Sequence, residues 1–185
     1  MALSRYKSFT RADLLLNNQP GYTNQAWLAP KSAFTILQEP APAAGAALGE
    51  AVTISTAHTF PVGEGFIQVY CAPKSVEGPG TIIGADGSKR FKWEPKILLL
   101  GDGPELLEQI LMLINDDLVL LLKDATCPGN QILQFGCSCN PSQVSAGGFA
   151  SSNTGDETGQ KGYTLTLTSY CKYFYNSTIA EKPAA

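Results

Sequence analysis

Residues 163–169 read YTLTLTS and carry the clearest strand signal in the chain. Large apolar side chains alternate with threonine along this stretch, and a period of two is the pattern of a β-strand with one buried face. Tyr163, Leu165 and Leu167 therefore face one way, and the intervening threonines face the other. We expect residues 163–171 to form a core strand that ends in a dense aromatic cluster.

Further strands are predicted upstream of this one. Residues 118–122 form a continuous apolar run, and residues 132–135 lie beyond a turn at 126–130 and are expected to pair with that run. Asp86-Gly87 is a hairpin signal. The remaining predicted strands cover residues 52–56, 66–71, 81–83, 90–94 and 96–100.

One helix is predicted over residues 103–115, because the stretch begins with residues typical of a helix N-terminus and its apolar residues recur at helical spacing. Asp102 supplies an N-cap acid, Pro104 an early proline and Glu105 an acid in the first turn. Apolar residues then recur at helical spacing, so that much of the circumference of the helix is expected to be covered. The stripe comprises Leu106, Leu107, Ile110, Leu111 and Ile114, and Met112 and Leu113 widen it.

Residues 1–50 differ from the rest of the chain and are predicted to form an extended N-terminal arm. A linker of small residues spans positions 39–47. Large apolar residues precede the linker without a strong period. Such an arm either lies across a neighbouring subunit or folds back on its own domain, and the sequence leaves both open. The apolar residues are Trp27, Leu28, Phe34, Ile36 and Leu37.

Residues 51–185 are predicted to form one mainly β domain, a β-sandwich or barrel with one packed α-helix. The whole chain has 185 residues, of which 44% are hydrophobic, and this is enough to bury a core. Within the domain, residues 145–162 are nearly all small or polar and are predicted to form a long polar loop.

Charged residues make up only 16% of the chain, against about 25% in an ordinary domain. Interface cores are depleted in charge, so the composition indicates a surface that contacts other subunits. The net charge of −3 gives no electrostatic footprint for nucleic acid. No apolar run approaches the ~20 residues of a membrane span, and the N-terminus lacks a signal-peptide core, so we expect a chain made in the cytosol with no membrane partner.

Five cysteines are present, and free buried thiols are the expectation for a chain made in the cytosol. The closest pair, Cys137 and Cys139, is separated by one residue, whereas zinc sites prefer two to four. Structural thiols are therefore favoured over metal or redox chemistry. A pairing of Cys127 with Cys137 or Cys139 stays open.

No catalytic, metal-binding or cofactor-binding residue is assigned, and the chain is predicted not to be an enzyme. His58 is the lone histidine, it follows a predicted strand, and no G-x-S-x-G motif accompanies it. A polar surface or loop position is expected for this side chain. The G-x-G fragments at 63–65 and 101–103 lack a third glycine and a Lys-Ser/Thr pair, so they do not predict a phosphate site.

Six features follow one another in order along residues 65–179. They are GFIQVY (65–70), the turn DGSK (86–89), the capped helix, DLVLLLKD (117–124), QFG (134–136) and GQKGYTLT (159–166). This order resembles small virion structural proteins of tailed bacteriophages. The succession strand–strand–helix–strand–strand with a long inserted loop resembles in particular the tail-tube fold of phage tails and related injection machines.

The resemblance implies a β-sandwich protomer with a flanking helix. Protomers would join edge to edge into a ring, commonly hexameric, and rings would stack into a tube that conducts DNA. An acidic lumen repels phosphate, so DNA would pass without specific binding. The implied location is the virion, assembled in the cytoplasm of the bacterial host, and the implied partners are further copies of the chain and other virion proteins.

Inter-subunit contacts are predicted in the arm and in the polar loop. The residues are Trp27, Phe34, Ile36 and Leu37 in the arm, and Phe149, Asn153 and Asp156 in the loop. If the arm only serves assembly, removing residues 1–48 leaves a folded monomer that fails to assemble.

Two alternative functions stay open. The arm is longer than a minimal tube protein needs, and a capsid cement or decoration protein could use it to clasp its neighbours. A carbohydrate-binding or receptor-binding module could instead stack ligands on the aromatic cluster near the C-terminus, although packing is the favoured interpretation. That cluster comprises Tyr163, Tyr170, Tyr173, Phe174 and Tyr175.

Overall fold

The computed structural model describes residues 21–43, 46–125, 131–150 and 161–183. Over these residues the fold is mainly β with one α-helix, which confirms the fold class predicted from the sequence. The described strands are β1 (Tyr22–Pro30), β2 (Thr53–Ile54), β3 (Ile67–Tyr70), β4 (Gly80–Ile83), β5 (Arg90–Trp93), β6 (Lys96–Leu100), β7 (Leu118–Asp124), β8 (Ile132–Phe135), β9 (Gln143–Ala150), β10 (Gly162–Thr168) and β11 (Lys172–Tyr175). The helix is α1 (Pro104–Leu113), and short 3₁₀ turns cover Lys31–Ala33 and Glu50–Val52.

The largest sheet has six strands in the order β2-β11-β8-β7-β1-β3. Its neighbours pair antiparallel except β11 and β2, which are parallel. Strand β7 lies near the middle, and its residues 118–122 are all buried. A strand covered on both faces needs apolar side chains on both, and this explains the unbroken apolar run in the sequence.

A second sheet has three strands in the order β6-β10-β9, and the hairpin β4-β5 stands apart as a two-stranded ribbon. Isolated bridges join these parts to the large sheet. Cys71 pairs with Leu99 at one side, and Leu118 pairs with Ser142 at the other. The hairpin is attached to the second sheet through a bridge between Trp93 and Ser169.

Two apolar clusters cover the two faces of the six-stranded sheet. The first lies between the two sheets and the helix, and includes Leu28, Leu120, Leu167 and Ile110. The second lies on the opposite face and is covered by the segments that follow β1 and β11. Its members are Trp27, Ala29, Ile54, Phe66, Val119, Leu121 and Tyr175, with Phe34, Leu37, Phe60 and Ile179 packed against it.

Strand β1 corrects the prediction that residues 1–50 form an extended arm, and of the two alternatives left open it agrees with a segment that folds back on its own domain. It pairs with β3 on one side and with β7 on the other, and residues 26–29 are buried. Because these residues are buried on both faces, they show no alternation that would reveal a strand. Removing residues 1–48 would delete a strand inside the sheet, so we now expect the truncated chain not to fold.

Helix α1 begins one residue later than predicted and is less covered. Gly103 occupies the N-cap without a side-chain hydrogen bond, while Asp102 pairs with Lys161 at 2.6 Å. Ile110 is buried and Leu106 packs partly against the first cluster. The expected coverage of much of the circumference is wrong within the protomer, because the helix contacts the sheets with one face only.

The predicted polar loop at 145–162 is shorter than expected. Residues 145–150 belong to β9, which pairs with β10, and residues 151–160 lie outside the described part of the chain. Small residues suit this strand because it packs closely on its partner: a Cβ atom on Gly147 would lie 2.7 Å from the carbonyl oxygen of Thr164.

The cysteines also differ from the expectation of free thiols. Cys137 and Cys171 form a disulfide between the residues that follow β8 and precede β11. Cys71 is a buried free thiol, and desolvation raises its pKa to about 11. Cys139 is a free thiol on the surface, and Cys127 lies outside the described residues.

Candidate functional site

His58 is the chemically distinctive buried residue, since it is only 4% exposed. Its Nδ1 accepts a hydrogen bond from the backbone N–H of Gln38 at 3.1 Å. A nitrogen that accepts carries no proton, so in the neutral ring Nε2 is the protonated atom and donates to Oε1 of Gln134 at 2.8 Å. Gln134 in turn donates to the carbonyl of Gly136 at 3.1 Å. The imidazole therefore links the segment after β1 to strand β8.

Aromatic rings surround the same imidazole. Tyr175 stacks on it with the ring centroids 4.8 Å apart, and Phe34 meets it edge-on at 5.4 Å. The Tyr175 hydroxyl accepts from the His58 backbone N–H at 3.4 Å and donates to the carbonyl of Thr178 at 2.7 Å. Desolvation lowers the pKa of His58. His58 does lie in the irregular segment between β2 and β3, but the predicted surface position is wrong, because this cluster buries the side chain.

This geometry gives His58 a structural task. Both ring nitrogens are engaged within the protomer, so neither is free to take a proton from a bound molecule.

Across residues 21–43, 46–125, 131–150 and 161–183, no group of three or more potential metal-ligating side chains occurs. Within those same ranges, no helix is long and apolar enough to cross a membrane.

A polar groove of about 360 Å³ lies between the segments around Gln38 and Thr53. Glu39 and Glu50 contribute its acidic groups. The Glu39 carboxylate already accepts hydrogen bonds from the N–H and the hydroxyl of Ser138, at 2.8 and 2.6 Å. The Glu39 carboxylate therefore attaches the segment after β1 to the chain beyond β8.

The residues predicted to contact neighbouring subunits fall into four groups. Trp27 is 5% exposed and its Nε1–H donates to Oε1 of Glu181 at 2.8 Å, so its assignment as a contact residue is corrected: it is a core residue. Phe34 and Leu37 pack against the same cluster and remain half-buried. The exposed residues are Ile36 and Phe149, whereas Asn153 and Asp156 lie outside the described residues.

Helix α1 presents an apolar face that sequence analysis expected to be covered. Leu107, Leu111 and Ile114 follow one another at i, i+4 and i+7, and Leu111 is 55% exposed. Met112 is also exposed on the neighbouring side of the helix. The apolar pattern was visible in the sequence, but it does not tell which part of a wide stripe faces the protomer's own core.

Strand β9 forms the outer edge of the three-stranded sheet. Seven of its eight residues are exposed, and on its outer side it pairs with no strand in the described part of the chain. Strand β3 ends the six-stranded sheet, but Phe66 bonds to Ala180 and Lys182, and Ala72 bonds to Leu98. These bonds leave a short open edge between them, at which Tyr70 is exposed. Unpaired N–H and C=O groups along such edges can accept a strand from another chain.

The β4-β5 hairpin carries a third exposed apolar feature. Ile82 and Phe91 lie opposite each other across the hairpin and are 64% and 49% exposed. Phe91 also stacks on Trp93, with centroids 5.1 Å apart. Cross-strand pairs of this kind stabilise a ribbon, and here the pair also leaves apolar area in contact with solvent.

The aromatic cluster near the C-terminus divides among several surroundings. Tyr175 is buried beside His58, and Tyr163 packs against Phe149 at 4.7 Å. The guanidinium carbon of Arg90 lies over the ring of Tyr170, 4.4 Å from the ring centroid. Since the rings serve different contacts, they do not form one stacking platform in the described structure.

Comparisons with protein-family models, curated proteins and solved structures found no match to this chain.

Proposed function

We propose that this protein is a non-enzymatic structural subunit of a tailed-bacteriophage particle, and that it self-assembles into the stacked rings of a tail tube. The proposal starts from the order of strands, turn and helix along residues 65–179, which resembles that family. It is supported by surfaces suited to holding neighbouring copies, in a fold whose one buried imidazole is fully engaged.

The observation that carries the proposal is the exposed edge of β9. The strand has eight residues, which corresponds to about 27 Å at roughly 3.4 Å per residue. The strand sequence QVSAGGFA contains no charged residue and no proline, although such residues commonly prevent unwanted pairing at sheet edges. A register shift against β10 marks a bulge between Val144 and Ala146, so the regular part of the edge is residues 146–150. An edge without charge is expected where pairing with another copy is the function.

The edges of β9 and β3 belong to different sheets and different parts of the protomer. Contact between two different patches is heterologous, and repeating it generates a ring when the rotation closes. Pairing β9 of one copy with the open stretch of β3 of the next would therefore link the copies head to tail, and a closing rotation would make this a ring.

The net charge of −3 is compatible with a DNA conduit. Phosphates would be repelled from an acidic wall, so the genome would move along the tube without being retained.

Imaging of purified protein tests the proposal, with two variants at one position as a matched pair. A Cβ atom at Gly148 has no neighbour within 4 Å, so either substitution is compatible with the fold. We expect rings or tubes from the wild type and from Gly148→Thr, and dispersed monomers from Gly148→Lys, because a charge on an edge strand opposes strand pairing. Negative-stain microscopy and sedimentation velocity give the two readouts.

A wild-type chain that stays monomeric at high concentration would contradict the proposal. Rings from Gly148→Lys in wild-type yield would contradict the role of β9 while leaving assembly itself intact. Free trimers in place of rings would favour the cement or decoration alternative.

A further inference from the structure

Helix α1 lies in the most acidic part of the chain. Residues 101–122 contain five acidic side chains and no lysine or arginine, which gives this stretch a net charge of −5. Asp102 is paired with Lys161, but Glu105 and Glu108 are exposed and have no ion-pair partner among the described residues. The exposed apolar face of the helix is thus bordered by uncompensated negative charge.

The first twenty residues have the opposite character. They contain Arg5, Lys7 and Arg11 against a single acid, Asp13, so their net charge is +2. The same segment carries large apolar side chains, with three consecutive leucines at 14–16. It therefore offers positive charge that complements the acids of the helix and apolar groups that can cover its exposed face.

The length of the segment permits contact with another copy. An extended chain spans about 3.3–3.6 Å per residue, so the twenty residues that precede Gly21 reach at most roughly 70 Å. Helix α1 has ten residues and is about 15 Å long at roughly 1.5 Å per residue. A segment several times longer than its target can cross a subunit boundary and still cover the helix.

We propose that residues 1–20 of one copy dock on helix α1 of a neighbouring copy. The basic side chains would lie beside Glu105 and Glu108, and the apolar side chains would cover Leu107, Leu111 and Ile114. This inference rests on the proposed self-assembly and names a second contact within it, separate from the strand edges.

Photo-cross-linking in the full-length chain tests the docking directly. The residue p-benzoylphenylalanine replaces Phe9, and unlabelled chains are mixed with ¹⁵N-labelled chains before irradiation. Mass spectrometry then identifies the peptide that is joined to position 9, and the isotope pattern tells whether the two peptides come from one chain or from two. We expect cross-links to residues 104–114 of another chain.

Charge variants test the electrostatic part of the contact. Glu105→Lys with Glu108→Lys is expected to lower the cross-link yield about fivefold, the effect of two exposed ion pairs. The matched control, Glu50→Lys with Asp86→Lys, changes the net charge equally at exposed sites outside the helix and should leave the yield unchanged. Adding Arg5→Glu and Lys7→Glu to the helix double variant should restore most of the yield.

Cross-links within a single chain, or to residues outside 104–114, would overturn the inference. So would equal yields from the helix variant and its control. These outcomes are distinguishable from failure of the proposed function, because rings that form by strand pairing are counted by microscopy in the same samples, whether or not the helix is cross-linked.

Discussion

His58 shows how one side chain can hold two remote parts of the chain together. Gln38 and Gln134, its hydrogen-bond partners, lie 20 residues before it and 76 residues after it. The imidazole is surrounded by aromatic rings, so water cannot replace either partner at low cost. The sequence shows a lone histidine after a strand and gives no indication of these partners, which is why a surface position was the expectation.

Replacing this histidine should destabilise the fold. We expect His58→Ala to lower the free energy of unfolding by about 3 kcal/mol, because it leaves a cavity and two unpaired buried polar groups. Urea denaturation followed by tryptophan fluorescence measures the change. Thr56→Ala, at a nearby exposed position, should change stability by less than about 0.5 kcal/mol. A small effect at His58 would contradict the buried network.

The same residue should make stability depend on pH. Burial lowers the pKa of His58 below its ordinary value of about 6.5, so the folded state keeps the ring neutral where the unfolded chain takes up a proton. Its contribution is complete above about pH 6.5 and is lost as the pH falls toward the folded-state pKa. The difference in unfolding free energy between wild type and His58→Ala should therefore shrink between pH 7 and pH 5, and a constant difference would exclude this origin.

Among the elements, those whose apolar residues alternate or form a continuous run were predictable from the sequence. Strand β10 alternates, with Leu165 and Leu167 buried as expected, and β7 is apolar throughout. Strand β1 could not be found in the same way, because its buried residues face both clusters and its first half is polar. The local sequence indicates which side of an element is apolar, but it does not indicate which other elements will cover that side.

Helix α1 permits a test of one face against the other. Ile110→Ala should lower the free energy of unfolding by about 3 kcal/mol, since Ile110 is buried against the core between the sheets. Leu111→Ala, one residue further on, should change it by less than about 0.5 kcal/mol, because this side chain is exposed in the protomer. Chemical denaturation of the monomer measures both. Equal losses would mean that the outer face is also packed within the protomer.

At the scale of the whole molecule, the chain does not divide at residue 50. Strand β1 pairs with β7, and Trp27 bonds to Glu181 near the other end of the chain. The segment after β1 covers the second cluster together with residues around Ile179. The domain as described therefore runs from residue 21 to residue 183, and the predicted arm contributes a strand and a cover to it.

Truncation tests this boundary. Removing residues 1–48 should abolish folding, because β7 and β3 lose the strand that joins them and the second cluster loses Trp27 and Phe34. Removing only residues 1–20 should leave a folded protein. Circular dichroism and size-exclusion chromatography distinguish the two cases. A folded product from the longer truncation would contradict the position of β1.

The position of β1 also governs the order of events during synthesis. This strand is synthesised before both of the strands that flank it, since β3 begins at residue 67 and β7 is complete only at Asp124. Until then the nascent chain carries an apolar segment whose partner strands have not yet been synthesised. Pairing between strands that are far apart in sequence is slow. Messages truncated upstream of codon 118 should thus yield aggregating fragments, and a chaperone that shields residues 26–29 during translation would raise the yield of native protein.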